Sequence, residues 1–405
     1  MHTKLLNTKF PPWPSFSLEE GMAVQRVLLS NKVNYWTGNE TREFEAAFAT
    51  YTDCEFAVAL ANGTLALDLA LKALSIGIGD EVIVTPRTFI ASVSSVVTAG
   101  ATPVFVDVDE NSQNIEAHTI ASGITERTRA VIVVHLAGMP ADMDPIMELA
   151  KKHDIKVIED CAQAHGAIYK GRSVGSIGHV GAWSFCQDKI MTTGGEGGMV
   201  TTNDKNLWSA MWSYKDHGKN WDTVYSKNHM KGFRWLHDSF GTNWRMTELQ
   251  GVLGRIQTER MPQWQEQRLA NARQIWSVCS DIDWLRVPTI AETFRHAAYK
   301  AYVFVRPERL APGCTRDNVV TALLEEGVPA FQGSCSEVYL ENAFKDSGFA
   351  PTERFPVAKK LGETSLMFLV HPTLGQKHIN ITTNALKAVD GRLRKSGCIV
   401  DTALT

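Results

Sequence analysis

Two residues near the middle of the chain have types and spacing that could do chemistry together. Lys156–Asp160 (KVIED) predicts a buried strand that ends in two acids, Glu159 and Asp160. Lys189 lies farther along, just before the glycine-rich segment Thr192–Gly198 (TTGGEGG). A lysine can form a Schiff base with a carbonyl group, and a carboxylate can keep a heterocyclic nitrogen protonated. Taken alone, a strand-end acid more often caps the next turn, and a loop lysine is more often solvated.

A turn and a hydroxyl group could together bind a phosphate. Gly63 and Thr64 follow the strand-like segment Phe56–Leu60 and begin a predicted helix. Free backbone N–H groups at the start of a helix attract anions. Ser184, in the apolar segment Ala182–Phe185 before the lysine, offers a hydroxyl group. An ordinary tight turn between a strand and a helix is an equally good interpretation of the two residues at the helix start.

An aromatic side chain could stack on a ring at the same place. Phe89 follows the predicted strand Glu81–Val84 after a polar turn, although a position in the core is the commoner outcome for such a residue. An amine, a carboxylate, a phosphate-binding turn and an aromatic face are what pyridoxal 5′-phosphate (PLP) needs from a protein. In an open parallel sheet, these groups should lie at the carboxyl ends of the strands.

Apolar runs that alternate with helical segments predict an α/β domain in the first two-thirds of the chain. The runs are continuous, which is typical of parallel strands covered on both faces. The predicted strands are Glu81–Val84, Pro103–Asp107, Ala130–Val134 and Lys156–Ile158, and the predicted helices are Thr64–Leu74, Ile90–Thr98 and Met143–His153. This order predicts a mostly parallel sheet with right-handed crossovers.

The pattern changes near residue 260. A long helix is predicted to begin near Met246, with Thr247 and Gln250 as a capping box, and to end at Pro262. The segments beyond it are a helix at Gln263–Ser277, a strand at Tyr299–Val305 and a helix at Arg316–Glu326. We therefore divide the chain into an N-terminal segment (1–30), a large domain (31–260) and a smaller C-terminal α+β domain (261–405).

The composition is that of an ordinary globular protein. Of the 405 residues, 44% are hydrophobic and 21% are charged, and the net charge is −3 without a basic stripe, which argues against nucleic-acid binding. The sequence shows neither a secretory signal nor the roughly 18 apolar residues of a membrane helix. The seven cysteines are scattered and form no Cys-x-x-Cys pair. We interpret them as free thiols in a reducing cytoplasm.

Two other kinds of site are not indicated. Gly171, Gly175, Gly178 and Gly181 have spacings that fit neither a dinucleotide-binding turn nor a Walker loop. The histidines show no spacing that is typical of metal ligands, so no metal site is expected.

Eight segments between about Tyr35 and Gln250 carry a family resemblance. They are Asn62–Leu67 (NGTLAL), Gly79–Val82 (GDEV), Thr88–Ala91 (TFIA), Gly100–Val108 (GATPVFVDV), Ile158–Gly166 (IEDCAQAHG), Ser184–Phe185, Thr192–Gly198 and Gly241–Gln250 (GTNWRMTELQ). With these segments the sequence resembles the DegT/DnrJ/EryC1/StrS family of PLP-dependent sugar aminotransferases. The resemblance implies PLP fold type I, with a large α/β domain around a mostly parallel sheet and a smaller C-terminal α+β domain.

The resemblance also implies a role for each candidate residue. Lys189 matches the Schiff-base lysine that also moves protons, Asp160 matches the partner of the pyridine nitrogen, and Gln163 matches the residue beside the ring hydroxyl. Phe89 matches the stacking aromatic, Gly63 and Thr64 match the phosphate loop, and Ser184 matches the phosphate hydroxyl. Asn243 matches an asparagine that reaches the phosphate of the neighbouring subunit's cofactor. A homodimer with shared active sites is therefore implied.

The sequence departs from the family pattern at several places. Cys161 stands where many relatives have a small residue, and Cys186–Asp188 (CQD) differs from the commoner versions with proline or serine. Gly194–Gly195 adds a glycine to a loop that is often shorter. Ala330–Glu337 (AFQGSCSE) lacks the histidine and tyrosine that relatives often have there, so contacts of the small domain with substrate cannot be carried over.

The implied activity is transfer of an amino group from L-glutamate or L-glutamine to a keto group of a nucleotide-linked sugar. Such reactions serve bacterial amino-sugar, surface-polysaccharide or antibiotic-sugar biosynthesis, and the cofactor alternates between PLP and pyridoxamine 5′-phosphate (PMP). Lys215, Lys219 and Arg234 are candidates to bind the diphosphate of the substrate, with solvated surface side chains as the alternative interpretation.

Other functions remain open on the same fold. Relatives act on cyclic ketones such as keto-inositols or make aromatic amino acids by aromatisation. PLP-dependent sugar dehydratases of the family typically have histidine at the position of Lys189, so this lysine argues against that activity. A catalytically silent regulator would not need Lys189, Asp160 and Gln163 together.

Overall fold

A mostly parallel, seven-stranded sheet is the centre of the computed structural model, which describes residues 10–225 and 235–399. The first nine strands are β1 (Phe56–Leu60), β2 (Glu81–Val84), β3 (Thr102–Phe105), β4 (Thr128–Val134), β5 (Lys156–Asp160), β6 (Ile168–Tyr169), β7 (Arg172–Ser173), β8 (Val180–Ser184) and β9 (Gly198–Thr202). The central sheet has the order β1-β9-β8-β5-β4-β2-β3. Only β9 runs antiparallel to its neighbours β8 and β1, which confirms the predicted mostly parallel sheet.

Helices cover both faces of this sheet. They are α1 (Leu18–Leu29), α2 (Glu40–Tyr51), α3 (Gly63–Ala73), α4 (Ala91–Thr98), α5 (Ala117–Gly123), α6 (Met143–Lys152), α7 (Lys205–Lys215) and α8 (Trp221–Tyr225). The helices α2, α5 and α6 share a core with one face of the sheet, and α3, α4 and α7 share a core with the other. Because each strand is buried on both sides, the sequence shows continuous apolar runs instead of alternation. The three helices predicted in this region agree with α3, α4 and α6 to within one residue at either end.

The carboxyl ends of the parallel strands meet at one edge of the sheet. In the strand register, Val134 of β4 lies opposite Asp160 of β5, and Asp160 lies opposite Ala182 of β8. The strand β5 includes both acids, as predicted for the segment Lys156–Asp160. The segments that follow β1, β2, β5 and β8 carry candidate site residues.

Glu159 anchors the end of β5 in the core. The fully buried carboxylate accepts the N–H groups of Gly175, Ile177 and Gly178 at 2.8, 2.8 and 2.6 Å and the Nε2–H of His135 at 3.0 Å. Burial by itself would raise the pKa of this carboxyl group, but its hydrogen bonds with His135 and with the backbone N–H groups outweigh burial and hold the pKa below its ordinary value. The acid thereby fixes the chain that leads from β7 into β8.

The long helix α9 (Glu248–Ser280) differs from its prediction. Its start is confirmed, because Thr247 and Gln250 form the expected capping box. The predicted end at Pro262 is wrong, since the helix continues through the proline and includes the segment predicted as a separate helix at Gln263–Ser277. An internal proline costs a helix about 3 kcal/mol. Here α9 is buried against α1 and α2 before the proline and against the C-terminal core after it, and this packing outweighs that cost.

The C-terminal part is a smaller α+β arrangement. Its elements are β10 (Leu285–Arg286), β11 (Phe294–Arg295), β12 (Ala301–Val305), α10 (Arg316–Glu325), β13 (Ala330–Phe331), α11 (Pro356–Thr364), β14 (Ser365–Phe368) and α12 (Gln376–Lys395). The strands β10, β12, β14 and β13 form an antiparallel sheet, and β11 returns to pair with β6 of the large sheet region. The division of the chain near residue 260 stays a prediction, because α9 passes through it. Among the described residues, no helix combines the length and apolar character needed to cross a bilayer.

The cysteine prediction is wrong for two of the seven residues. Cys314 and Cys398 form a disulfide, with Cα atoms 5.7 Å apart and a sequence separation of 84. The backbone pairs beside them, because Leu310 lies opposite Ile399 and the N–H of Ala311 donates to the carbonyl of Cys398 at 2.9 Å. The spacing of the cysteines in the sequence carries no trace of this pairing, since folding of the C-terminal part alone brings them together.

The contact between α2 and α9 depends on a glycine. A Cβ atom on Gly251 would lie 2.6 Å from the backbone nitrogen of Thr41. We expect Gly251→Ala to lower the free energy of unfolding by about 1–3 kcal/mol, because the backbones must separate. Gly391→Ala in α12 is the matched control, since a Cβ there meets no atom within 4 Å and alanine favours a helix by about 1 kcal/mol. Urea denaturation measures the free energy of unfolding of both variants. If Gly251→Ala stabilised the protein as much as Gly391→Ala, the close contact between α2 and α9 would be contradicted.

The anchoring role of Glu159 predicts a large effect of a one-atom change. We expect Glu159→Gln to lower the free energy of unfolding by about 2–4 kcal/mol at neutral pH, because an amide cannot accept every buried N–H group. Since its folded-state pKa is depressed, the stabilisation by Glu159 is present above the unfolded-state pKa, near 4.5, and is lost as the pH falls through the lower folded-state value. The difference from wild type should therefore narrow only below about pH 4.5. Glu126→Gln, at an exposed position, is the control. An equal loss of unfolding free energy in both variants would contradict the anchoring role of Glu159.

Candidate active site

Asp160 lies at the carboxyl edge of the sheet with its side chain on the face opposite to that of Glu159. Successive side chains of a strand point to opposite faces, so two adjacent acids receive different surroundings. The Oδ2 atom of Asp160 accepts the hydroxyl of Ser92 at 2.7 Å, and its Oδ1 atom accepts the N–H of Ala162 at 3.1 Å. Ser92 in turn lies 2.8 Å from the hydroxyl of Thr88. This chain of hydroxyl groups fixes the orientation of the Asp160 carboxylate, which is almost completely buried.

The neighbouring group of His135, Glu159 and Cys161 has donor atoms close enough to hold a metal ion. Each of these donor atoms is either already hydrogen-bonded or unsuited to binding a metal ion. His135 receives the N–H of Ala141 at Nδ1 (3.0 Å) and donates from Nε2 to Glu159, whose oxygens accept three backbone N–H groups as well. Burial raises the pKa of the Cys161 thiol well above its ordinary value, so it stays protonated. These three side chains are therefore part of the buried core, in which His135 and Glu159 have their hydrogen-bond partners.

The start of α3 lies directly against the end of β8. A Cβ atom on Gly63 would stand 2.5 Å from the Cβ of Ser184 and 2.9 Å from its hydroxyl oxygen, so only glycine allows this approach. Asn62 caps the helix by accepting the N–H of Leu65 at 3.0 Å. Gly63 is half-buried and Thr64 is exposed, which leaves the first turn of the helix open beside a hydroxyl group. This cradle fits a phosphate group, because it combines helix N–H groups with an O–H donor.

Lys189 lies in the loop between β8 and β9, half-buried at the same edge. Its backbone is held twice, because its N–H donates to the carbonyl of Cys186 at 3.1 Å and its carbonyl accepts Nε1–H of Trp13 at 2.7 Å. Its Nζ atom lies 5.6 Å from the centre of the Tyr299 ring. The hydroxyl of Tyr299 donates to Asp188 at 2.6 Å. The lysine is thus presented by a loop that is fixed on both sides.

Gln163 and Phe89 occupy positions that suit the edges of a planar ring. The Oε1 atom of Gln163 accepts the N–H of Ala137 at 2.8 Å, so its NH₂ group is the part left to donate elsewhere. The side chain of Phe89 is 67% exposed, which is unusual for a phenylalanine, and it lies three residues before the Ser92 that holds Asp160. An exposed aromatic face is a suitable platform for an aromatic ligand.

Asn243 is exposed on the segment that leads into α9. The segment is fixed to the large domain, since Asn243 pairs with Asp216 and the carbonyl of Trp244 accepts the N–H of Ala61 at 3.0 Å. Phe240 and Trp235, which precede Asn243 in sequence, are also strongly exposed.

The lysines suggested for a diphosphate are engaged elsewhere. Lys215 is fully buried with Nζ 3.7 Å from Glu45 Oε1, and burial lowers its pKa. Lys219 is bonded to Asp216 at 2.9 Å and lies over the ring of Trp36. Neither amine is free to receive an anion, so the expectation for these two residues is corrected. Arg234 lies outside the described residues.

Sequence reasoning missed a group of four side chains around Lys189 and Tyr299. Trp13, Arg268, Tyr299 and Lys300 come from the N-terminal segment, from α9 and from the start of β12. Because they are far apart in sequence, an analysis of local spacing cannot relate them to one another. One signal was present, because Lys300 is a charged residue inside an otherwise apolar, strand-like run, where a lysine is rarely placed without a partner.

Known proteins share both the sequence and the fold. The model of the DegT/DnrJ/EryC1/StrS aminotransferase family matches residues 15–387. GDP-perosamine synthase from Caulobacter vibrioides is 41% identical over 71% of this chain and 74% of that protein. UDP-N-acetyl-3-dehydro-α-D-glucosamine 3-aminotransferase from Acidithiobacillus ferrooxidans is 36% identical over 84% and 86%.

Solved structures agree with the sequence matches. The aminotransferase from Psychrobacter cryohalolentis superimposes with a TM-score of 0.94 at 60% identity, over 95% of this chain and all of that one. The PLP form of a Streptococcus pneumoniae protein assigned as a sugar aminotransferase gives a TM-score of 0.83 at 26% identity, over 95% and 98%. The family resemblance and fold type I inferred from the sequence are confirmed, and the chain belongs to the PLP-dependent DegT/DnrJ/EryC1/StrS aminotransferase family.

Proposed function

We propose that this chain is a PLP-dependent aminotransferase that moves an amino group from L-glutamate or L-glutamine to a keto group of a nucleotide-linked sugar. The relatives named above are enzymes of GDP- and UDP-linked sugars, which supports the substrate class. The observation that carries the proposal is the arrangement at the carboxyl edge of the sheet. There, the fixed carboxylate of Asp160, the cradle of Gly63 and Ser184, and the loop of Lys189 fit one phosphorylated pyridine ring.

The residues of the site would divide the binding of PLP among them. Lys189 would bind the aldehyde carbon through Nζ, and Asp160 would receive the pyridine N–H, because its carboxylate is already oriented by Ser92. The backbone of Gly63 and Thr64 and the hydroxyl of Ser184 would bind the phosphate. When bound, PLP supplies an electron sink that makes the α-proton of the donor acidic and a carrier for its amino group.

Three side chains would orient the ring without reacting. Asp160 would hold a proton at the pyridine nitrogen, which maintains the electron-withdrawing form of the ring. Gln163 would donate from its NH₂ group to the ring oxygen, because Ala137 already occupies its amide oxygen. Phe89 would cover one face of the ring and exclude water from it.

Lys189 would carry the proton during catalysis. As a free amine beside the bound donor, its Nζ atom would take the α-proton of the donor and would hold it for return during the same half-reaction. In the second half of the cycle the same atom would move a proton in the opposite direction on the keto sugar. Trp13 supports this role, because its hydrogen bond to the Lys189 carbonyl keeps the backbone in place while the side chain moves.

A homodimer with shared sites would complete the phosphate cradle. Asn243 is exposed on a rigidly attached segment, and the side chains of Trp235 and Phe240 near it are 81% and 100% exposed. Large apolar side chains that stay exposed together are typical of a contact surface. An isologous interface would let Asn243 of each subunit reach the phosphate in the other.

The role of Lys189 predicts a specific spectroscopic behaviour. We expect the wild-type protein with PLP to show the visible absorption of lysine-bound cofactor, to lose it with L-glutamate, and to regain it with a keto sugar linked to GDP or UDP. Lys189→Ala should lack both changes, because it can neither bind the aldehyde carbon nor move the proton. Lys156→Ala is the control at a partly exposed position on β5. A wild-type protein that binds PLP yet ignores both amino donors would contradict the aminotransferase proposal.

The phosphate cradle makes a second prediction. We expect Gly63→Ala to weaken PLP binding about tenfold to a hundredfold, because the added methyl group collides with Ser184 and displaces the first turn of α3. Titration of the apoprotein with PLP, followed by fluorescence, measures the dissociation constant. Gly77→Ala is the matched control, since its Cβ would meet only Ala99 O at an ordinary 3.6 Å. Unchanged affinity in a folded Gly63→Ala protein would place the phosphate elsewhere.

A further inference from the structure

A cluster of cationic and aromatic side chains beside Lys189 has no part in the roles described so far. We define the Lys300 cluster as Trp13, Arg268, Tyr299 and Lys300. Tyr299 and Lys300 immediately precede β12, and Arg268 projects from α9. Trp13 lies over the Arg268 guanidinium, with 4.8 Å between the ring centre and Cζ. The cluster therefore joins the C-terminal part of the chain to the loop that carries the catalytic amine.

The position of this cluster is fixed relative to the cofactor-binding residues. The N–H of Ala297 donates to the carbonyl of Gly138 at 2.8 Å, and the N–H of Tyr299 donates to the carbonyl of Ala137 at 3.1 Å. Ala137 is also the residue whose N–H binds Gln163. A rigid backbone contact thus connects Lys300, through one neighbour, to the edge of the proposed PLP ring.

Lys300 and Lys189 lie around the same aromatic ring. Their Nζ atoms are 4.8 and 5.6 Å from the centre of the Tyr299 ring. Within the residues that the structure describes, Lys300 makes no hydrogen bond and no ion pair. The acid facing it is Asp188, which already accepts the hydroxyl of Tyr299 at 2.6 Å. Lys300 is therefore a half-buried amine next to the catalytic lysine with no direct partner.

Arg268 adds a second positive charge without a compensating acid. The side chain is almost fully buried, and its one hydrogen bond to a described residue is a long contact of 3.4 Å from Nη1 to the carbonyl of Tyr299. Its Nε and Nη2 atoms have no hydrogen-bond partner among the described residues. Burial lowers the pKa of Arg268 to about 9, and burial together with the charges of Arg268 and Lys189 lowers the pKa of Lys300 to about 8, against the pull of Asp188. A buried cation and a half-buried one without a directly bound acid favour a bound anion.

We propose that Lys300 is the residue that binds the α-carboxylate of the amino donor, with Arg268 behind it as a fixed charge that stabilises the bound anion. The proposal rests on the proposed function, which supplies the donor. Both candidate donors, L-glutamate and L-glutamine, have this carboxylate. It is attached to the carbon that carries the amine, so it must lie within a few ångströms of the place where Lys189 Nζ is displaced. A sugar diphosphate is separated from the reacting keto carbon by the sugar ring and fits this short distance poorly.

The first experiment separates the two half-reactions. Loss of the visible PLP absorption is followed against the concentration of L-glutamate, and its return is followed against a keto sugar nucleotide added to the PMP form. We expect Lys300→Met to raise the half-saturating concentration of L-glutamate and of L-glutamine about tenfold to a hundredfold, because the charged hydrogen bond is lost. The half-saturating concentration of the acceptor should change less than about twofold. Lys300→Arg should recover part of the donor affinity, since it retains the charge.

The matched control is Lys72→Met. Lys72 is an exposed lysine that also lies over a tyrosine ring, 5.5 Å from the centre of Tyr214, far from the site. Its replacement should leave both half-reactions unchanged. Unchanged donor saturation in Lys300→Met would overturn the proposal. A loss confined to the acceptor half-reaction would also overturn it and assign the cations to the diphosphate.

A second measurement requires no turnover. Calorimetric titration of the PLP-loaded protein with glutarate, a dicarboxylate without an amine, should detect binding in wild type and a loss of about tenfold or more in Lys300→Met. Equal binding by both proteins, or none by wild type, would overturn the carboxylate subsite. Failure of the proposed function is distinguishable, because wild type would then bind glutarate through Lys300 while neither amino donor changed the absorption of PLP.

Discussion

The alternation of side chains at the end of β5 is the constraint on which the rest of the site depends. Two adjacent acids leave the strand on opposite faces, and each is fixed by different partners. Glu159 enters the core and binds three backbone N–H groups of the segment that leads into β8. Asp160 faces the carboxyl edge and is oriented by Ser92. A shift of one residue in register would exchange these surroundings, and the site would lose both its carboxylate and the support of the next strand.

Since β8 is held by that support, its far end determines where the other functional groups lie. Ser184 at the end of β8 meets Gly63 at the start of α3, and the loop after it presents Lys189. The glycine is required because two elements approach more closely than a Cβ allows. The turn at Gly63, the carboxylate of Asp160 and the amine of Lys189 therefore lie near one another because parallel strands end at the same edge of the sheet. Ligand sites in open α/β sheets are expected at this edge.

The buried and partly buried cations of this protein are of two kinds. Some are paired with an acid and stabilise the fold, and others have no acid in direct contact. Lys215 lies beside Glu45, and Arg245 and Lys219 are both bonded to Asp216, so these cations have acids as direct partners. Among the described residues, Arg268 and Lys300 have no such acid in direct contact, and Lys300 shares the ring of Tyr299 with Lys189. A protein tolerates an uncompensated buried charge at a cost in stability, and such costs are typical of sites that await a ligand. A carboxylate bound at Lys300, as proposed, would compensate the charge that causes this cost.

The sequence by itself determined the α/β class, the mostly parallel sheet and the approximate bounds of several central strands and helices, because continuous apolar runs and helix caps are local signals. The capping box of Thr247 and the strand-end position of Asp160 are examples, and the dense family segments predicted the fold type. Tertiary structure alone decided what depends on distant contacts. Packing on both sides carries α9 through Pro262, backbone pairing joins Cys314 to Cys398, and burial beside Glu45 removes Lys215 from the surface. The Lys300 cluster belongs to the same class, since its members are separated by up to hundreds of residues and only the folded chain brings their charges together.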